Sequence, residues 1–180
     1  MKRFYLLFLT VIISTIGLSQ SYLGYVTSSV NLRSEPNSTS KIIKTLERGS
    51  ALFIVSKEKD NGYYQVVNID TDEEGYVYGN NVEVEKEIPK NEAGIFSPTG
   101  KSKSYKPSIE IFNNTELTLT LKLNEQSYRF APKEKKTIKL SPGIYTYRAS
   151  APGVMPNYGT ENMRSNYNYE WQFYISTSYR

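Results

Sequence analysis

Asn61-Gly62 is the strongest hairpin signal in the chain, and it restricts what the residues around it can form. An Asn-Gly pair suits the tight turn that joins neighbouring antiparallel strands, because both residues tolerate positive φ. Residues 51–56 before the pair and residues 63–69 after it are rich in apolar and aromatic side chains that favour strands. The pattern therefore predicts a β-hairpin with its turn at Asn61-Gly62.

Similar short apolar segments, separated by Gly, Pro, Asn or Asp, extend from residue 22 to residue 84. About five or six short strands within about 60 residues fit a compact small barrel. The composition agrees, since 16 Tyr against 3 Met and 1 Trp favour strand over helix. We expect an all-β protein whose N-terminal half is a small barrel.

The chain contains no His and no Cys, and this restricts its chemistry. Cys–His and Ser–His nucleophile pairs, thiolate zinc sites and imidazole metal ligands are all excluded. The acidic residues Asp70, Asp72 and Glu74 share one turn instead of flanking a cleft, so they do not suggest a glycosidase pair. We expect no enzyme activity, no metal site and no cofactor.

The first 19 residues are typical of an export signal. Lys2 and Arg3 precede an apolar stretch over residues 4–18, and Gly17-Leu18-Ser19 offers small residues for cleavage. Cleavage after Ser19 would leave a periplasmic or extracellular protein without a stable membrane span. The alternative is an uncleaved anchor, although the stretch is shorter than the ~20 residues that span a bilayer. Loss of Lys2 and Arg3 lowers the formal charge from +4 to +2, so nucleic-acid binding is not expected.

Several motifs in the first half occur in a fixed order: Val30-Asn31-Leu32-Arg33 with Pro36, then Gly49, then Tyr63-Tyr64-Gln65-Val66, then Gly75-Tyr76-Val77. Their order and spacing resemble those of the bacterial SH3-like domain. Tyr63 stands where that family usually has Trp. The resemblance implies an SH3-like barrel over residues 20–85.

Such a resemblance implies a non-catalytic binding module that contacts cell-wall peptide or glycan. Binding of proline-rich peptides is not implied, because the acidic, Tyr-rich opening motif of the eukaryotic relatives is missing. The candidate ligand-binding residues are Tyr25, Arg33, Tyr63, Tyr64, Tyr76 and Tyr78. Neighbours in a strand point to opposite faces, so one tyrosine of each adjacent pair is expected to pack inward. Arg33 has a structural alternative, an ion pair or backbone hydrogen bonds near a barrel turn.

The acidic segment from Asp70 to Gly75 repeats the first half of a calcium-binding loop. The second half does not match, because Asn81 stands where a bidentate Glu is required and no helices flank the segment. We expect a solvated acidic hairpin tip.

Residues 86–108 are poor in apolar side chains and rich in Pro, Gly and Lys, which predicts a linker between two domains. The Lys101-Ser102-Lys103-Ser104 run could contact an anionic polymer, but a solvated linker is the favoured interpretation.

Residues 109–180 are predicted to form a second β domain. Leu117, Leu119, Leu121 and Leu123 alternate with polar residues, which indicates a strand with one buried and one wet face. Six strands joined mainly by hairpins, with a long loop over residues 152–159, favour an antiparallel β-sandwich or open barrel. Trp171 and Phe173 are expected in its core.

This second half loosely resembles β domains of secreted proteins of Bacteroidetes-type bacteria, a resemblance that implies no activity. The matching segments are Asn113-Asn114-Thr115, Pro142-Gly143-Ile144-Tyr145, Tyr147–Ala151 and the strand with Trp171. Tyr158, Tyr167, Tyr169 and Tyr174 lie near several Asn residues, a chemistry that suits sugars or protein partners.

Two functional classes remain open. The first is an exported protein that binds a cell-envelope polymer such as peptidoglycan. The second is a structural or interaction protein that binds only protein partners in the envelope. An aromatic groove on the barrel would favour the polymer, whereas an exposed flat apolar patch would favour a protein.

Overall fold

The structure, a computed structural model, describes residues 20–175. These residues form fifteen β-strands and one 3-10 turn at Gly79–Asn81, so the predicted all-β fold is confirmed. The predicted export signal, residues 1–19, lies outside the described residues. Among the described residues, no helix has the length and apolar character needed to cross a bilayer.

The N-terminal half, called the barrel here, has seven strands: β1 (Ser21–Val26), β2 (Val30–Arg33), β3 (Ile42–Leu46), β4 (Ala51–Ile54), β5 (Tyr63–Asn68), β6 (Glu73–Tyr78) and β7 (Val82–Ile88). They form one sheet in the order β3-β2-β6-β5-β4-β1-β7.

Two glycines explain the local geometry of the barrel. Asn61 and Gly62 both have positive φ, 49° and 84°, and Asp60 and Tyr63 exchange backbone hydrogen bonds of 3.0 and 2.8 Å across them. The predicted hairpin turn is thus confirmed. Gly75 lies where β6 crosses β2, and a Cβ there would approach the carbonyl oxygen of Arg33 to 2.5 Å.

Apolar residues are buried on both faces of the barrel sheet. The inner face forms a core that includes Leu32, Leu52 and Val66, each fully buried. The outer face carries a second buried cluster: Leu23, Phe53, Val67, Ile69 and Ile88, together with Tyr158 from the other half of the chain. The outer face is therefore an interface between the two halves.

The C-terminal half, called the sandwich here, has eight strands: β8 (Ser97–Lys101), β9 (Ser108–Asn113), β10 (Leu119–Leu123), β11 (Gln126–Phe130), β12 (Lys135–Lys139), β13 (Gly143–Ala151), β14 (Val154–Met163) and β15 (Tyr167–Phe173). They form two four-stranded sheets in the orders β11-β10-β13-β14 and β12-β9-β15-β8. The leucines of β10 and Phe130 are buried between the sheets. The sandwich has eight strands instead of the expected six, and β9 and β15 pair in parallel.

The predicted linker over residues 86–108 is not a free connection. Strand β7 continues to Ile88, Phe96 is buried in the sandwich core, and β8 pairs with β15. The Glu161 carboxylate accepts hydrogen bonds from the backbone N–H groups of Ile95 and Phe96, the latter at 2.9 Å. Composition concealed this order, because the groups that satisfy the segment's backbone lie far away in the sequence.

Residues 152–159, expected to be mostly loop, lie largely in the ten-residue strand β14. Pro156 is tolerated there because β14 is the last strand of its sheet, where a missing N–H breaks no ladder. The strand also contacts the segment after the barrel, since Asn91 N–H donates to the Tyr158 carbonyl oxygen at 2.9 Å. Most of residues 152–159 therefore belong to an edge strand, although the segment contains Pro and Gly.

Candidate functional site

Two tyrosines, one half-buried and one exposed, form a pair at one end of the β5–β6 hairpin. Tyr63 and Tyr78 are directly opposite each other in the ladder, and their rings meet edge to face with centroids 5.3 Å apart. Tyr78 remains 41% exposed. Its ring lies over the hairpin turn, where a Cβ on Gly62 would be 3.2 Å from the ring. The turn thus supports one wall of an open aromatic surface.

This pair lines a shallow pocket with Asn61 and the loop residues Pro36, Asn37 and Ser38; we call it the aromatic pocket. Its volume is about 470 Å³. Tyrosine rings combine an apolar face with a polar hydroxyl, and the loop adds amide and hydroxyl groups. This set can stack on a flat apolar surface and hydrogen-bond the polar groups around it.

Arg33 contacts the loop that lines one side of the pocket. Its Nη1 donates a 2.8 Å hydrogen bond to the carbonyl oxygen of Ser40, and the Ser40 hydroxyl donates to the carbonyl oxygen of Glu35 at 2.9 Å. Both contacts shape the loop that carries Pro36. The geometry thus corresponds to the structural alternative for Arg33, and its guanidinium acts as a positioning group for the pocket.

Two of the predicted site tyrosines lie apart from the pocket. Tyr64 is only 8% exposed and packs in the barrel core, as strand alternation requires beside Tyr63. Tyr25 is 37% exposed but pairs with Ala51, which accepts a hydrogen bond from Ile69 N–H. Tyr25 is therefore level with the opposite end of β5 and does not join the pocket.

Tyr76 occupies the middle of the same hairpin face. It is opposite Gln65 in the ladder, one step along from the Tyr63–Tyr78 pair. Burial raises the pKa of Tyr76, and the nearby carboxylates of Glu74, Asp60 and Glu125 raise it further. Glu125 belongs to the sandwich, so Tyr76 lies where the barrel surface meets the second half.

Glu74, at the other end of this face, is held by two cations of the sandwich. Its Oε2 is 2.6 Å from Arg148 Nη2, and its Oε1 is 3.0 Å from Lys122 Nζ. Burial alone would raise the pKa of Glu74, but attraction and hydrogen bonds from Arg148 and then Lys122 outweigh it and lower the pKa to about 2. The prediction of a solvated acidic hairpin tip was wrong at Glu74, because two cations of the sandwich bind its carboxylate.

The Tyr158 hydroxyl makes a second polar connection between the halves. It accepts hydrogen bonds from Ser21 N–H at 3.1 Å and Gln20 Nε2 at 3.0 Å, and it donates to the Ile88 carbonyl oxygen at 2.8 Å. Its ring packs edge to face on Phe53 at 5.6 Å. Tyr158 is therefore an interface residue. Tyr169, which was also considered for recognition, is buried in the sandwich core with 5% of its surface exposed.

The acidic segment shows no metal-binding arrangement. Within residues 20–175, no group of three or more acidic side chains is placed to hold an ion. The Asp70 backbone N–H is instead bound to the Asn68 side chain at 2.9 Å. The segment thus behaves as a turn with one interface residue, Glu74.

Sequence reasoning missed the interface residues Phe53, Val67, Arg148 and Tyr158. One signal was present: Leu52-Phe53-Ile54-Val55 is an uninterrupted apolar run within a hairpin. Such a run indicates a strand buried on both faces, whereas a one-sided strand alternates. Arg148 and Tyr158 gave no comparable signal, since each alternates with its neighbours as an ordinary strand residue.

Residues 28–83 match the family model of the bacterial SH3 domain. The matched range contains the hairpin, the aromatic pocket and the motif residues that carried the resemblance, so the SH3-like assignment is confirmed. No curated protein matches the chain. The resemblance of the sandwich to Bacteroidetes-type β domains stays a prediction.

Proposed function

We propose that this chain, which carries a bacterial SH3 domain, is an exported non-catalytic protein that binds peptidoglycan or another cell-envelope polymer. The observation that supports this most directly is the aromatic pocket, where half-buried Tyr63 and exposed Tyr78 lie beside the polar loop of residues 36–38. Bacterial SH3 domains are often linked to the cell wall, which favours the same class of ligand.

The shape of the pocket suits a polymer. It is wide and shallow, so a sugar or a peptide segment could lie across it without leaving its chain. Tyrosines present large rigid contact surfaces at a small entropic cost, because they have only two side-chain torsions. The loop is already ordered by Arg33 and Ser40, so binding does not need to order it.

The absence of catalysis is part of the proposal. Arg148 and Lys122 compensate the negative charge of Glu74 and lower its pKa to about 2. The carboxylate is therefore not available to accept a proton near neutral pH. The pocket itself offers hydroxyl and amide groups, which bind but do not activate water.

The test is co-sedimentation of residues 20–180 with purified peptidoglycan sacculi. We use the whole mature chain, because separating the halves would expose Phe53 and Val67 to water. Tyr78→Ala and Tyr63→Ala should each reduce pelleting about 10-fold, since losing a stacked aromatic costs on the order of 1–2 kcal/mol. Tyr25→Ala is the matched control, because it removes an exposed tyrosine of the same domain outside the pocket.

The proposal fails if the unmodified protein does not pellet at any salt concentration, or if Tyr25→Ala weakens pelleting as much as Tyr78→Ala. The alternative, a purely protein-binding role, has one supporting observation. Ile42 and Ile43 on β3, the end strand of the barrel sheet, are 48% and 38% exposed. Loss of partner binding in Ile43→Lys, with sacculus binding absent throughout, would favour that alternative.

A further inference from the structure

A cleft lies where the barrel meets the sandwich, and no part of the proposed function uses it. We call it the interdomain cleft; its volume is about 260 Å³. Phe53 of the barrel and Tyr158 of the sandwich give it an apolar wall, while Lys90, Lys122, Arg148 and Thr146 supply polar groups. Residues from both halves are needed to form it.

The charges around the cleft do not cancel. Lys90, Lys122 and Arg148 carry three positive charges and Glu74 and Glu125 carry two negative charges, which leaves one positive charge (3 − 2 = +1). The Glu125 side chain is 99% exposed and 4.0 Å from Lys122, so solvent screens it strongly. Glu74 already binds two cations. The sheltered part of the cleft therefore has unmatched positive charge.

Arg148 is buried beside the cleft, and part of its guanidinium lacks a hydrogen-bond partner. Its side chain is only 10% exposed, and Glu74 takes one terminal nitrogen, Nη2, at 2.6 Å. Its Nε is buried and has no hydrogen-bond partner among the described residues. A guanidinium has five N–H donors, and the one at Nε of Arg148 is left without an acceptor. Arg148 lines the interdomain cleft.

We propose that the interdomain cleft binds a small carboxylate-bearing ligand with an apolar body, about the size of an amino acid or dipeptide. The carboxylate meets Lys90, Lys122 and the unpartnered Nε–H of Arg148. The apolar body packs against Phe53 and Tyr158, and Thr146 at the rim hydrogen-bonds the polar backbone of the ligand. Binding of this kind joins the two halves and should stabilise both together.

The experiment uses isotope-labelled protein of residues 20–180, titrated with N-acetyl-alanyl-alanine while backbone amide shifts are followed by NMR. The matched probe is the same dipeptide with its C-terminal carboxylate converted to an amide. The free acid should shift the amides of Asn124 and Thr146 saturably and bind about 10-fold more tightly than the amide form. Lys90→Met should weaken binding of the acid about 5-fold or more.

Lys103→Met is the control, since it removes the same charge from an exposed position outside the cleft. Lys122→Met is a second test variant, and Lys90→Met remains decisive if that change disturbs the Glu74 contact. Equal affinity of acid and amide, unsaturable shifts, or equal effects of Lys90→Met and Lys103→Met would each overturn the proposal. The titration contains no envelope polymer, so its outcome is independent of sacculus binding by the aromatic pocket.

Discussion

The outer face of the β5–β6 hairpin has two ends that share strands and alternation but differ in what covers them. At one end, Val67 is buried under the sandwich and Glu74 is bound by Arg148. At the other end, Tyr63 is half-buried and Tyr78 is exposed, and both line the aromatic pocket. The same face thus serves as an interface and as a candidate ligand surface. Its role at each point depends on the neighbour and not on the strand.

The residues at each end suit their surroundings. Val67 has no polar atom to satisfy, and Glu74 is tolerable at the interface because two cations compensate its loss of water. Tyr63 and Tyr78 carry hydroxyls that water or a ligand can satisfy, so exposure costs them little. This difference yields three predictions on stability, given from the largest effect to the smallest.

Phe53→Ala should destabilise the protein by about 3–5 kcal/mol, because it leaves a cavity against Tyr158 at the covered end. The chain has one Trp, Trp171, which packs between Phe96 and Phe173 in the sandwich. The unfolding transitions measured by Trp171 fluorescence and by circular dichroism should shift together, although the substitution is in the barrel.

Tyr25→Ala is the control for that measurement, since Tyr25 shares the outer face of the barrel sheet but is exposed; a change within about 1 kcal/mol is expected. A Trp171 transition unaffected by Phe53→Ala, with the circular dichroism transition lowered, would show that the halves unfold independently. The covered end would then not couple the stability of the barrel to that of the sandwich.

Acid should weaken the covered end through Glu74. Its pKa falls from 4.5 to about 2 on folding, so its contribution is fully present above pH ~4.5 and is lost as the pH falls towards 2. A shift of this size corresponds to about 3 kcal/mol at most, and screening at a side chain 30% exposed reduces it to about 1–2 kcal/mol. The measurement is the free energy of unfolding between pH 6 and pH 2, about the range that brackets both values.

Glu74→Gln provides the comparison for this titration, because Gln keeps the shape of the side chain and cannot ionise. Its curve should be flatter than that of the unmodified protein by the same 1–2 kcal/mol, about the contribution of Glu74. Parallel curves for the two proteins would mean that Glu74 is not held by Arg148 and Lys122 in solution.

Tyr78→Ala should have the smallest effect on stability, about 0.5–1 kcal/mol, since it removes one edge-to-face contact with Tyr63 at an exposed site. Thermal unfolding measures this directly. A loss as large as that of Phe53→Ala would show that the open end is a structural part of the barrel, and would contradict its assignment as a ligand surface.

Much of the barrel could be predicted because its signals are local. Asn61 and Gly62 readily adopt positive φ, and this favours a turn between β4 and β5 without help from distant residues. The pairing of Tyr63 with Tyr78 follows from that hairpin and its successor. The side of the pocket formed by Tyr63 and Tyr78 could therefore be predicted from the sequence. Only the structure shows that the loop of residues 36–38 lies beside these tyrosines.

The interface was not predictable in the same way, because its polar members resemble surface residues. Lys122 lies on the face of β10 that alternation identified as wet, yet it binds Glu74 of the barrel. A charged residue whose partner is 48 positions away looks in sequence like a charged residue in water. Strand β8 was missed for a different reason: Pro98 and Gly100 are typical of loops. They are tolerated in β8 because it is an edge strand of its sheet.

The sequence by itself determined the all-β class, the hairpin turns and the alternation that buries Leu119, Leu121 and Leu123, because these depend on backbone preference and on neighbours within one strand. Only the tertiary structure decided that the barrel and the sandwich share a buried face, with Phe53 against Tyr158 and Glu74 against Arg148. Burial and charge pairing between distant segments depend on how whole sheets dock, and no local pattern contains that information.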